Sequence, residues 1–147
     1  MKNIKNLWSL ICRSSSIDID TNIMSLLDVI EEITITSSLD SEMVKNGQTL
    51  QFPLEFVTMW QREGGLEKEL STNINLVSIG PNGKKTESGP LKLAFEKGKP
   101  RVRLRIKSPG IVFNGFGPYK FKVMLEEKEK FIEVQEIPLE IKSSIKI

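Results

Sequence analysis

Strict alternation of apolar and polar residues recurs along this chain, and such a period marks strands with one buried and one wet face. In RVRLRIK, Val102, Leu104 and Ile106 fall on one side, and Arg101, Arg103, Arg105 and Lys107 on the other. In YKFKVML, Tyr119, Phe121, Val123 and Leu125 point inward while Lys120 and Lys122 point outward. LQFPLEF aligns Phe52, Leu54 and Phe56, although Val57, Met59 and Trp60 blur the pattern further on. Pro53 has no amide hydrogen to give to a ladder, which predicts an edge, a bulge or a strand start at that point. INLVSI (74–79) runs into the turn formers Pro81, Asn82 and Gly83, and LKLAF aligns Leu91, Leu93 and Phe95. Ile132 and Val134 share one phase but Ile137, Leu139 and Ile141 the other, so a bulge or strand break is expected near Gln135 and Glu136.

One segment is ambiguous. In NIMSLLDVIEEI, residues Ile23, Leu26, Leu27, Ile30 and Ile33 also follow helical spacing. The segment leads into β-branched ITIT and is joined to the preceding apolar stretch by the short Asp20, Thr21, Asn22 turn, which favours a strand in a hairpin; an amphipathic helix is the alternative. Seven or eight short strands without a helix-length periodic segment predict an all-β chain, an antiparallel β-sandwich.

Composition bounds the rest. The 147 residues, 39% hydrophobic and 27% charged, suit one soluble domain over 1–147. The single cysteine, Cys12, has no internal disulfide partner. The opening MKNIKNLWSLICRSS invites comparison with a lipoprotein signal, but its apolar run is short and Ile11 stands where a small residue is needed. A strand is expected there, with no leader removed. No stretch approaches the roughly 18 apolar residues of a membrane span, so a cytoplasmic setting without membrane contact is expected.

The chain contains no histidine, which removes the usual general base and the commonest metal ligand together. Tetrahedral zinc sites are excluded with it. No catalytic set, metal site or cofactor is predicted. DIDTN places Asp18, Asp20 and Asn22 at the spacing that opens a calcium loop, but Ile23 and Val29 occupy the positions that need glycine and glutamate. A turn between two strands is the better reading.

FNGFGPYKFKVML carries two glycines, a proline and four aromatics. Gly115, Gly117 and Pro118 bend the chain, and Tyr119 opens the next strand on its inward face, resembling the tyrosine corner of immunoglobulin-like domains. The functional alternative is a sugar or small-ligand platform built from Phe113, Phe116 and Tyr119.

The ordered segments SLICRSSSIDIDTNIMSLLDVIEEI, FPLEFVTMWQRE, GPYKFKVML and IPLEI resemble a family of small, largely uncharacterised bacterial proteins. The resemblance implies an immunoglobulin-like β-sandwich and carries no site residues with it.

For partners, the sharpest feature is the run of positive charges Lys97, Lys99, Arg101, Arg103, Arg105 and Lys107, a stripe about 30 Å long if the strand is regular. It could follow an acidic protein surface or a nucleic-acid backbone. Alternatively it is a solvated face neutralised by Glu31 and Glu32, with Lys120 and Lys122 likewise facing Glu133 and Glu140. The net charge of +2 weighs against nucleic acid. Thr36–Thr49 and Gln61–Thr72 are candidate functional loops, and Trp60 is a candidate partner anchor or a core residue. The expected function is a non-enzymatic interaction or accessory domain that binds another protein or a second copy of itself. A carbohydrate- or small-ligand-binding module is the alternative.

Overall fold

A computed structural model describes residues 3–35 and 46–144. Among them are ten strands and no helix: β1 (Ile4–Ile17), β2 (Met24–Val29), β3 (Glu32–Ile35), β4 (Thr49–Arg62), β5 (Leu70–Ile79), β6 (Lys85–Glu87), β7 (Leu91–Phe95), β8 (Arg101–Val112), β9 (Gly117–Glu127) and β10 (Lys130–Ser143). Two sheets pack as a β-sandwich. The first, sheet A, has the order β2-β1-β4-β8; the second, sheet B, has the order β3-β10-β9-β5-β6, with β7 also on β5. Every pairing is antiparallel except that of β3 with β10.

The strand count exceeds the seven or eight expected, because one segment divides and a short strand, β6, forms after the turn at Pro81, Asn82 and Gly83. NIMSLLDVIEEI is strand, not helix, but it splits at Ile30 and Glu31 so that β2 belongs to sheet A and β3 to sheet B. Both bulges foreseen from the sequence are present: the β4–β8 register slips between Gln51 and Leu54, around Pro53, and the β10–β9 register slips between Glu133 and Gln135.

The core lies between the sheets. Leu54, Phe56 and Trp60 from β4 meet Tyr119, Phe121, Val123 and Leu125 from β9, with Leu93 and Phe95 closing one end. Phe56 and Phe121 touch across the sheets, ring centroids 5.2 Å apart. Trp60 donates its indole hydrogen to Thr58 Oγ1 (2.7 Å), which satisfies the one polar atom that its burial would strand.

Val57 alternates with these residues and so points away from the core, yet it is fully buried, and Glu55 beside it is almost so. The β1–β2 hairpin accounts for both. After Cys12 pairs with Glu55, β1 leaves β4 and continues with β2 alone. The hairpin folds back across the outer face of sheet A. Ser15 Oγ bonds the Glu55 carboxylate, Arg105 donates to Ser15 O (3.4 Å) and Oγ (3.2 Å), and Arg103 donates to Asn22 O (2.7 Å).

At the hairpin tip, Asp18 Oδ1 accepts the amides of Asp20 and Thr21, both at 2.9 Å. DIDTN is therefore a turn, and no group of three or more acidic or cysteine side chains suited to a metal occurs among the described residues.

Candidate functional site

β8 is one of the two edges of sheet A, hydrogen-bonded to β4 and to no other strand among the described residues. Alternation gives it two unlike sides. Arg101, Arg103, Arg105 and Lys107 stand on the outer face, while Val102, Leu104 and Ile106 turn inward and are only partly covered by the core.

A groove of about 570 Å³ lies between the hairpin tip, the start of β8 and the β7–β8 turn. Ile17, Met59, Ala94 and Val102 supply its apolar lining, and Asn22, Glu96, Lys99, Arg101 and Arg103 its polar and charged lining. On the inner side, where the sandwich opens between β8 and the three-residue β6, is a cleft of about 270 Å³ lined mainly by Phe56, Leu76, Ile106, Ile111 and Phe121. Ser78 also lines this cleft, and its Oγ is buried without a hydrogen-bond partner among the described residues.

The six-charge stripe is thus shorter than expected. Lys97 and Lys99 lie in the turn before β8, so the strand carries four cations spanning about 20 Å. Two of the four already have work within the fold, since Arg103 and Arg105 hold the hairpin. Glu31 and Glu32 do not neutralise the stripe; Glu32 pairs with Lys142 at 3.1 Å, on β10 of the other sheet. Lys122 does meet Glu133 (2.8 Å) as expected, and this contact holds its ammonium above the usual lysine range. Glu140 lies instead 3.9 Å from Lys142.

The aromatic platform does not form. Tyr119 is fully buried and Phe113 nearly so; of the three only Phe116, edge-on to Phe113 with centroids 5.2 Å apart, reaches solvent. Tyr119 makes a corner instead. Its hydroxyl accepts the Asn114 amide (2.7 Å) and donates to Gly115 O (2.6 Å), tying the strand back to the turn that precedes it. Trp60 is fully buried and offers nothing to a partner.

Of the two candidate loops, residues 36–45 lie outside the described residues, and Gly47 is bonded to Phe113 O (2.7 Å). The other loop is pinned by a residue that periodicity passed over. Arg62 is buried and donates to Lys99 O (3.0 Å), Gly65 O (3.2 Å), Lys68 O (2.8 Å) and Glu96 O (2.9 Å), with its guanidinium 5.5 Å from the centre of the Phe95 ring. An arginine closing an alternating strand, in phase with Trp60, was its only sequence signal.

No family model matches this chain, and no curated protein matches it. No helix among the described residues is long and apolar enough to cross a membrane.

Proposed function

We propose that this protein is a non-enzymatic interaction domain that binds another protein along the flank of β8. The observation that carries the reading is the pair of unlike grooves flanking one edge strand, the first mixed in character with three cations in its lining and the second mainly apolar. A free edge offers backbone amides and carbonyls, and natural sandwiches either protect such an edge or use it.

The test is affinity capture from native lysate with and without nuclease, comparing wild type with a variant carrying Arg101→Glu and Lys107→Glu. These two sites leave the hairpin's arginines in place. A protein partner held by wild type and lost by a correctly folded double variant is the expected result. Unchanged recovery of every partner would remove β8 from consideration, and recovery that vanishes on nuclease treatment would put nucleic acid in place of protein.

We also read the sandwich as immunoglobulin-like and the chain as akin to the small bacterial family its segments resemble. The tyrosine corner at the entry to the second-to-last strand supports this. A cytoplasmic setting accords with a lone cysteine that needs no oxidising compartment.

A further inference from the structure

Resting on that reading, we infer that the partner enters as an extended peptide of alternating apolar and acidic residues, added as a strand along the free edge of β8. The backbone argues for strand addition. From Arg101 to Ser108 the edge runs about 26 Å with no hydrogen-bonded strand beside it on the side away from β4 among the described residues, ending at Pro109, which has no amide hydrogen to offer. The other edges are poorer templates. β6, β3 and β7 are only three, four and five residues long, and β2 is interrupted by Asp28, whose φ of 53° takes the chain out of the extended region.

The side chains argue for the alternation. In an added strand every second residue points to the interior side, over the cleft beside Ile106, Phe56 and Phe121. Leu104 and Ile106 are only partly covered now, so apolar residues at these positions complete a burial that the fold leaves open. The intervening residues fall beside the outer face of β8. Arg101 and Lys107 make no ion pair or side-chain hydrogen bond among the described residues, so acidic residues of the peptide meet unpartnered charges near both ends of the Arg101–Ser108 edge.

The test uses a nine-residue peptide alternating Glu with Val or Ile, capped at both ends and titrated into the isotope-labelled full chain. Amide shift changes are expected to concentrate at residues 101–108. Arg101→Glu with Lys107→Glu should weaken binding roughly tenfold, the scale of two lost exposed pairs and two new like-charge contacts. N-methylating alternate peptide residues should abolish binding in one phase and spare it in the other, because only one phase faces the ladder. That control leaves the protein unaltered, so it decides the matter even if the double variant folds badly.

Equal binding of both N-methylated phases, or of a Glu/Ser peptide without apolar residues, would overturn strand addition while leaving a basic interaction surface standing. Absence of binding by every peptide would overturn the inference alone, since the lysate experiment tests the interaction reading separately.

Discussion

Tyr119 ties a strand to the turn before it through a single hydroxyl that both donates and accepts. Tyr119→Phe strands a buried amide at Asn114 and is expected to cost about 2 kcal/mol in urea denaturation. A loss below about 0.5 kcal/mol would mean that the corner is packing alone. Burial pushes the Tyr119 hydroxyl above the ordinary value of 10.0, against a smaller opposing pull from the Asn114 amide. Unfolded tyrosine ionises near the ordinary value while the folded residue keeps its proton, so stability holds below it and declines as pH rises through the folded value. With one tyrosine in the chain, phenolate absorbance reports Tyr119 alone. It is expected to appear together with loss of the native circular dichroism, and ionisation near the ordinary value in a folded protein would contradict this. Gly110 is fixed for a different reason: a Cβ there would stand 2.0 Å from Leu50 O, at the β4–β8 ladder. Gly110→Ala should cost about 3 kcal/mol by the same denaturation measurement. The corner was legible because glycines and proline precede an inward tyrosine; the Gly110 contact was not, since it depends on which strand lies alongside.

The β1–β2 hairpin is an element that alternation alone describes incompletely. Val57 and Met59 break the alternation of β4 because β4 is covered on both faces: by the core on one side and by the hairpin on the other. The signal was present in the sequence as a strand apolar in both phases. What could not be read was the cover, because the hairpin reaches β8 through arginines 81 and 90 residues distant. Cys12 measures how firmly it sits. The thiol is fully buried, and burial first and Glu55 second push its pKa up. Thiol labelling of the folded protein should therefore be slow, and Arg103→Ala with Arg105→Ala should speed it roughly tenfold by local opening. An unchanged rate would assign the hairpin's hold to apolar contact instead. The same logic extends to Arg62, which joins the β4–β5 loop to the β7–β8 turn. Arg62→Ala is expected to lower stability by roughly 3 kcal/mol, read from the denaturant midpoint, because one side chain serves four carbonyls.

At the scale of the molecule, Trp60 belongs to sheet A and Tyr119 to sheet B, and both sit in one continuous core. The near-ultraviolet bands of tryptophan and tyrosine should vanish at one denaturant midpoint, and separate midpoints would mean that the sheets unfold independently. The sandwich could be inferred from strands and turns because local alternation encodes which face is wet. Much less of the candidate site could be read. Arg101 to Lys107 declared a charged face, but the apolar cleft behind it is assembled from β4, β5, β6 and β9 as well as β8, and no single segment carries its pattern.

The parallel pairing of β3 with β10 has a consequence for synthesis. Ile33 and Ile35 are buried only when Ile141 and its neighbours lie alongside, and 109 residues separate Ile35 from Ser144, which closes that contact. On the ribosome β3 emerges early and waits through the translation of seven further strands, its apolar residues without their cover. The nascent chain therefore closes this side of the sandwich last, and holdase chaperones that shield early-exposed isoleucines should act on it during that interval and release it once β10 docks.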